Sequence, residues 1–312
     1  MAATTAPAPR KSIFARIRHP SLTWTEYLWA YFFILPWFLG FICFIAGPMI
    51  ISLIISFTQY DIVQAPAFIG LANYERLLND SLVRKSLWNT AYYVLIGVPL
   101  NTTEALLAAM LLTRPLRGQN LFRTIFYVPS VVPLVASAIL WMWLFNPDFG
   151  LVNMGLRAIG LPPQLWFHSV VWSKPSFIIM TLFSVGTQMV IFVAGIKNIP
   201  QSLYEAAEID GANRLQTFWN ITIPMLSPVI FFNLVVSMIG AFQVFTTAYV
   251  VTDGMGSPNN STLFYVLYLY RNAWLYFKMG YASTLAWLLF LIVVMATALQ
   301  FLGARRWVYY EK

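Results

Sequence analysis

Residues 31–56 read YFFILPWFLGFICFIAGPMIISLIIS, and no side chain in the run is charged. A helix of about 20 mostly apolar residues crosses a hydrocarbon core about 30 Å thick, so this stretch is long enough to span a bilayer. It is also apolar on every face, which a surface helix of a soluble protein is not. The rest of the chain has the same character. Of its 312 residues 59% are hydrophobic and 10% charged, with a mean hydropathy of +0.69; a soluble domain has about 45–50% and about 25%. Composition excludes a water-soluble fold.

Outward from that run, the few charges divide the chain into further uncharged stretches. They predict spans at about 87–112, 125–144, 177–196, 229–251 and 282–303, which with 31–56 make an all-α integral membrane protein of six transmembrane helices. The expected organisation is a tail over 1–28, one transmembrane domain over 29–304 with a long loop at 197–228, and a tail over 305–312. A signal peptide has an apolar region of only about 7–15 residues, so the longer first run is read as an uncleaved span. Cys43, the only cysteine, lies inside it, so no disulfide framework or thiolate metal site is expected. His19 and His168 fall far apart and on opposite sides of the membrane, which offers no metal site either.

An even number of spans places both termini on one side, and Lys and Arg near the spans decide which. Arg10, Lys11, Arg16, Arg18, Arg114, Arg117, Arg123, Lys197, Arg214, Arg305, Arg306 and Lys312 fall together, twelve of the 19 basic residues. Arg76, Arg84, Lys85, Arg157, Lys174, Arg271 and Lys278 fall on the other side. Both termini are therefore expected in the cytoplasm, and the net charge of +8 is an inside bias and not a nucleic-acid surface. Pro36, Pro48, Pro99 and Pro133 lie inside or at the ends of spans. Ordinary packing adjustment is the expectation for each, since neighbouring helices re-satisfy the freed carbonyls.

Residues 197–228 read KNIPQSLYEAAEIDGANRLQTFWNITIPMLSP. Pro200 suits a first helical position, Gln201 to Ile209 a short helix, and Asp210-Gly211 its end. A second short helix from Asn213 to about Ile221 then runs into Pro224, giving a helix–turn–helix elbow at the cytoplasmic face. Glu205, Glu208 and Asp210 put three of the eleven acidic residues within six positions, beside the small Ala206 and Ala207. On these residues alone, an acidic knob that docks into a basic-edged groove and a solvated amphipathic loop stand as equal readings.

With Glu205-Ala206-Ala207, three residues, Gly211, nine residues and Ile221-Thr222-Ile223-Pro224, the elbow resembles the EAA loop of ABC importer permeases, departing at Ile223 where Leu is usual. The string EAAEIDGA is similar to the carbohydrate uptake branch, the maltose-type and glycerol-phosphate-type permeases. The likeness extends through Phe122-Arg123, Pro129, Pro133, Trp141, Leu144-Phe145, Gly150 and Asn153, through Gly280-Tyr281-Ala282-Ser283, and through Arg305-Arg306-Trp307-Val308-Tyr309-Tyr310-Glu311. Gly254-Met255-Gly256-Ser257-Pro258 departs from the tighter Gly-Gly-Pro of relatives.

The resemblance implies a type I importer permease in a bacterial or archaeal inner membrane. Its partners would be a second permease subunit, two ATP-binding subunits docking at 200–224, an extracytoplasmic solute-binding protein and membrane lipid. Glu205, Ala206, Ala207, Asp210, Gly211, Ile221 and Pro224 would carry the ATPase coupling. No G-x-x-x-x-G-K-[ST] loop occurs in the chain, in keeping with ATP hydrolysis by a separate subunit, and no cofactor is expected.

Polar side chains inside spans tend to face a bundle interior or a water-filled cavity. On the fifth span Asn233, Ser237 and Gly240 recur at helical spacing and lead to Gln243, Thr247 and Tyr249; on the fourth, Thr181, Ser184 and Gln188 do the same. These are the candidate pathway residues, with interhelical hydrogen bonding as the alternative for each. Glu104 is the only charge well inside a span. The leading reading is a sugar or oligosaccharide permease. The alternatives are the same architecture importing glycerol phosphate, a polyol or another polar solute, and a membrane receptor or scaffold. A membrane enzyme would cluster His, Asp or Glu at one face, and outside the elbow no such cluster occurs.

Overall fold

A computed structural model of the chain describes residues 24–114 and 117–309. The basic residues Arg10, Lys11, Arg16, Arg18 and Lys312, together with His19, lie outside the described residues. The chain divides into two compact units, one up to Ile51 and one from Ser52 onward. The first holds α1 (Trp24–Phe41), a π turn (Ile42–Ala46) and the start of α2 (Gly47–Ser56). No side chain of α1 is buried, and Phe33 is 73% exposed. Apolar on all faces, this unit suits lipid.

In the second unit a short antiparallel hairpin, β1 (Thr58–Gln59) and β2 (Ala67–Phe68), follows α2, with Thr58 opposite Phe68. Then come α3 (Ala72–Asn79), α4 (Ser81–Thr113), α5 (Gln119–Val131), α6 (Leu134–Leu144), α7 (Leu151–Ala158), α8 (Ser173–Leu182) and α9 (Gly186–Lys197). The elbow is α10 (Gln201–Ile209) and α11 (Arg214–Thr217). It leads into α12 (Ile223–Phe242), α13 (Thr246–Thr252), α14 (Tyr265–Tyr270) and α15 (Met279–Ala304).

Among the described residues four helical stretches are long and apolar enough to cross a membrane: Trp24–Ser56, Ser81–Thr113, Arg214–Thr252 and Met279–Ala304. Two bent pairs, α5 with α6 and α8 with α9, bring the number to six if each pair is one span. The expected continuous helix over 125–144 is instead two helices meeting at 102°. Val132, which precedes Pro133, takes the extended conformation that a following proline imposes (φ −67, ψ 130), and Pro133 has no N–H to continue the ladder. The other three prolines named above stay within helix. The expected helix over 177–196 likewise breaks around Ser184, with a 47° bend. The fifth span does not wait for Pro228: helix runs from Arg214 through a π turn (Phe218–Thr222) into α12, and Pro224 and Pro228 both sit inside it.

The long α4 is the central element, packed against α8, α9, α12 and α14. Toward the elbow, Ala105 and Ala109 are fully buried in one cluster with Met189, Phe192 and Leu226, small residues letting the helices approach closely. At the opposite, distal end, Trp141, Phe145, Trp166, Phe177, Phe264 and Tyr265 form an aromatic core. Asn153 organises part of it, its Oδ1 accepting the indole N–H of Trp166 at 2.8 Å. The loop 253–264 is pinned on α4: Asn89 Nδ2 donates to the carbonyls of Asn260 (2.8 Å) and Leu263 (3.1 Å). The Gly280-Tyr281-Ala282-Ser283 signature has a steric cause. A Cβ on Gly280 would lie 2.0 Å from the Thr58 carbonyl oxygen, so only glycine lets α15 start against the hairpin.

Candidate functional site

The elbow is built from local signals. Pro200 stands one position earlier than expected, as the residue preceding α10. At the other end Gly211 takes φ +74, the Ala212 N–H reaches the Ala207 carbonyl at 2.9 Å and the Gly211 N–H that of Glu208 at 3.1 Å, a Schellman closure. Asn213 then caps α11: its Oδ1 accepts the N–H groups of Leu215 (3.0 Å) and Gln216 (2.9 Å), while Gln216 Oε1 accepts the Asn213 N–H at 2.8 Å. The Tyr204 hydroxyl, 3.2 Å from Thr222 Oγ1, ties α10 to the end of the π turn that follows α11.

Glu205, Ala206, Glu208, Asp210 and Gly211 are exposed on this knob, and Ile209 is 86% exposed among them. Three of the expected coupling residues are differently placed. Ala207 is buried, so its small side chain serves the elbow's own packing. Ile221 packs against the cluster of Met189, Phe192 and Leu226, and Pro224 sits half-buried in the first turn of α12. These three are packed within the elbow and its join to α12.

Midway along the bundle a cavity of about 320 Å³ opens between α4, α8, α9, α12 and the α12–α13 break. Six of the expected pathway residues line it: Thr181, Gln188, Ser237, Gly240, Gln243 and Thr247. Gln188 Nε2 donates to Ser237 Oγ at 2.6 Å, while Gln188 Oε1 is buried without a partner. The face expected to run on as one helix reaches the cavity through a break, since α12 stops at Phe242 and α13 starts at Thr246. Non-helical backbone at membrane depth is tolerated where it lines a cavity.

Three expected residues do not line it. Asn233 is buried and its Nδ2 bonds the Val229 carbonyl of its own helix at 2.9 Å. Ser184 is exposed at the α8–α9 break, and the Tyr249 ring meets Phe245 at a tilt (5.5 Å) and Tyr270 edge-on (5.4 Å). The cavity instead gains Tyr93 and Asn101 of α4, with Asn101 Nδ2 donating to the Thr181 carbonyl at 3.0 Å. Tyr93, Gly97 and Asn101 at four-residue spacing form a stripe that was readable in the sequence, though masked by the apolar residues around it.

Amides and hydroxyls line this space together with the Phe245 ring and the aliphatic Val98, Leu134, Ala241 and Val244, and among the described residues no charged side chain does. Such a lining suits a neutral solute rich in hydroxyl groups. Glu104 lies outside it, one turn from Asn101 toward the elbow, on an apolar groove of its own.

Residues 102–308 match the family model described as binding-protein-dependent transport system inner membrane component. The probable ABC transporter permease protein YesP of Bacillus subtilis is 44% identical over 284 residues, 90% of this chain and 92% of that protein. The lactose transport system permease protein LacF of Rhizobium radiobacter is 40% identical over 243 residues, 76% of this chain and 81% of that one. The fold matches a chain of the bacterial alginate ABC transporter solved in complex with alginate pentasaccharide-bound periplasmic protein, with a TM-score of 0.78 at 24% identity, covering 90% of this chain and 96% of that one. With two thirds of its length in the family match and relatives of this similarity, the chain belongs to the binding-protein-dependent inner membrane components, and is a multi-pass permease subunit of an ABC importer and not itself an enzyme.

Proposed function

We propose that this permease forms half of the translocation pathway for a neutral sugar or short oligosaccharide, and that the α10–α11 elbow couples it to an ATP-binding subunit. The observation that carries the solute reading is the uncharged cavity lined by Asn101, Gln188, Ser237, Gln243 and Thr247 with the Phe245 ring at its side. Glycerol phosphate would bring a phosphate into a space with no cation to receive it, at a cost of several kcal/mol for an unpaired buried charge. The relative named for lactose transport supports a glycoside.

The coupling reading rests on the exposed acidic knob of Glu205, Glu208 and Asp210, held rigid by the Gly211 turn and the Asn213 cap. Docked in a cleft of the ATPase, such a knob transmits closure of the ATP-binding dimer as rigid-body motion. A second permease completes the pathway, and an extracytoplasmic binding protein delivers solute.

Reconstitution of the complete complex tests both parts. Neutral sugars are expected to stimulate ATP hydrolysis, with glycerol phosphate inactive. Gln188→Ala with Ser237→Ala should reduce uptake about tenfold or more while the subunit stays assembled, as when two hydrogen bonds of about 1 kcal/mol each are lost. Glu205→Ala should abolish uptake with the subunit still in the membrane. Stimulation by glycerol phosphate alone would overturn the solute reading, and full uptake by Glu205→Ala the coupling reading.

A further inference from the structure

On α4, Leu100, Glu104, Leu107 and Leu111 recur at intervals of four, three and four residues and so form one stripe of the helix. With Phe126 of α5 and Leu182 of α8 they line a groove of about 420 Å³. The leucines are well exposed, 46% for Leu100, 54% for Leu107 and 56% for Leu111. At the centre of this apolar strip stands Glu104, and its Oε2 is buried with no hydrogen-bond partner.

Lipid would cover the leucines at no cost, but acyl chains have no donor for a carboxyl oxygen. A solute path is equally unsuited, because apart from Thr103 and Glu104 the lining is hydrocarbon. The 4-3-4 spacing averages 3.5 residues, the repeat with which one helix packs along another, and a single polar residue in such a seam fixes partner and register.

We propose that this groove seats a transmembrane helix of the second permease subunit, and that this helix brings a side-chain N–H or O–H donor to Glu104. The proposal rests on the reading that the chain pairs with a second permease. Glu104 is then the residue that selects that partner over a second copy of this chain, whose own Glu104 is an acceptor as well. The adjoining cavity begins one turn away at Asn101, so the contact also sets the pathway wall against the neighbouring subunit.

The test uses the whole transport complex purified from native membranes. A photoreactive benzophenone side chain at Leu107, with Glu104 intact, is expected to cross-link to the second permease subunit. Glu104→Gln keeps an acceptor and should recover the partner near the wild-type level, whereas Glu104→Leu should lose it about tenfold or more, the effect of deleting one charge-assisted hydrogen bond. The amount of Glu104→Leu in the membrane and its melting temperature in detergent separate lost pairing from lost folding. If that variant does not fold, the Leu107 cross-link decides. Cross-linking to lipid or to a second copy of this chain overturns the proposal, as does wild-type recovery by a folded Glu104→Leu. Absence of any second permease from the wild-type complex would instead sink the two-subunit reading itself.

Discussion

Asp80 joins three elements through one carboxylate. It caps α4 by accepting the Leu82 N–H at 2.9 Å, and its other oxygen accepts the hydroxyls of Tyr268 (2.5 Å) and Tyr281 (2.7 Å). The Arg76 guanidinium lies 4.2 Å over the Tyr281 ring. Burial raises the carboxyl's pKa, but the two hydroxyls and the N–H groups of Leu82 and Val83 outweigh it, so Asp80 titrates below its ordinary 3.8. Tyr268, pushed up to about 12 by burial and by its bond to Asp80, stays a donor at all physiological pH values. With the folded value depressed, the stabilisation is fully present above the unfolded value and is lost as pH falls through the folded one. Tyr281→Phe removes one donor and brings Asp80 back toward its ordinary value. Acid unfolding of this variant in detergent should therefore begin at higher pH than in wild type; an unchanged acid midpoint would refute the linkage. No motif announced this cluster. Asp80 and Tyr268 are 188 residues apart, and only the packing of α14 and α15 against the start of α4 brings them together. Gly211 was readable because a glycine after a helical run carries its meaning locally.

The same division holds for elements. The bounds of α10 fall where Pro200 and Gly211 predict them, while the start of the fifth span does not. Two prolines there suggest a stop, yet the helix continues, and its geometry shows how. The Ile223 N–H, just before Pro224, bonds the Phe218 carbonyl five residues back, and the Gly47 N–H, just before Pro48, bonds that of Ile42 in the same way. A wider π turn thus precedes each proline and absorbs its ring and missing N–H, a device that hydropathy does not reveal. Because α11 is coupled to α12 through such a turn, the elbow depends on its own caps for rigidity. Asn213→Ala deletes the acceptor of two N–H groups and should cost about 1 kcal/mol at that end. Hydrogen exchange of the Gln216 amide is the measurement, with about fivefold faster exchange expected. Exchange at the wild-type rate would mean that the capping box does not hold the elbow.

At the scale of the whole molecule, the two ends of the bundle are chemically distinct. One carries the elbow, Arg114 and Lys197, and the Tyr309 N–H bonds Ser227 Oγ at 2.8 Å, so the end of the described chain lies there too. The other carries the hairpin, the aromatic core and the 253–264 loop. Among the described residues basic side chains divide evenly between the two ends, so the expectation that the elbow end is cytoplasmic rests on the basic residues of the two tails as read from the sequence. Hydropathy made the apolar stretches legible because burial in lipid is a property of long runs. It left the break at Ser184 unread, because a bend costs no hydrophobicity, and the one at Val132 unread although Pro133 marks it locally. Orientation is open to a direct check. With Cys43 replaced by Ser, a cysteine at Val63, 89% exposed in the hairpin loop, should react in intact cells with a maleimide that cannot cross the membrane. A cysteine at Ile209, 86% exposed on the elbow, should react only after the cells are opened, in a strain lacking the ATPase that would shield it. The reverse pattern would place the elbow outside, beyond reach of any cytoplasmic ATPase, and would refute the coupling reading along with the topology.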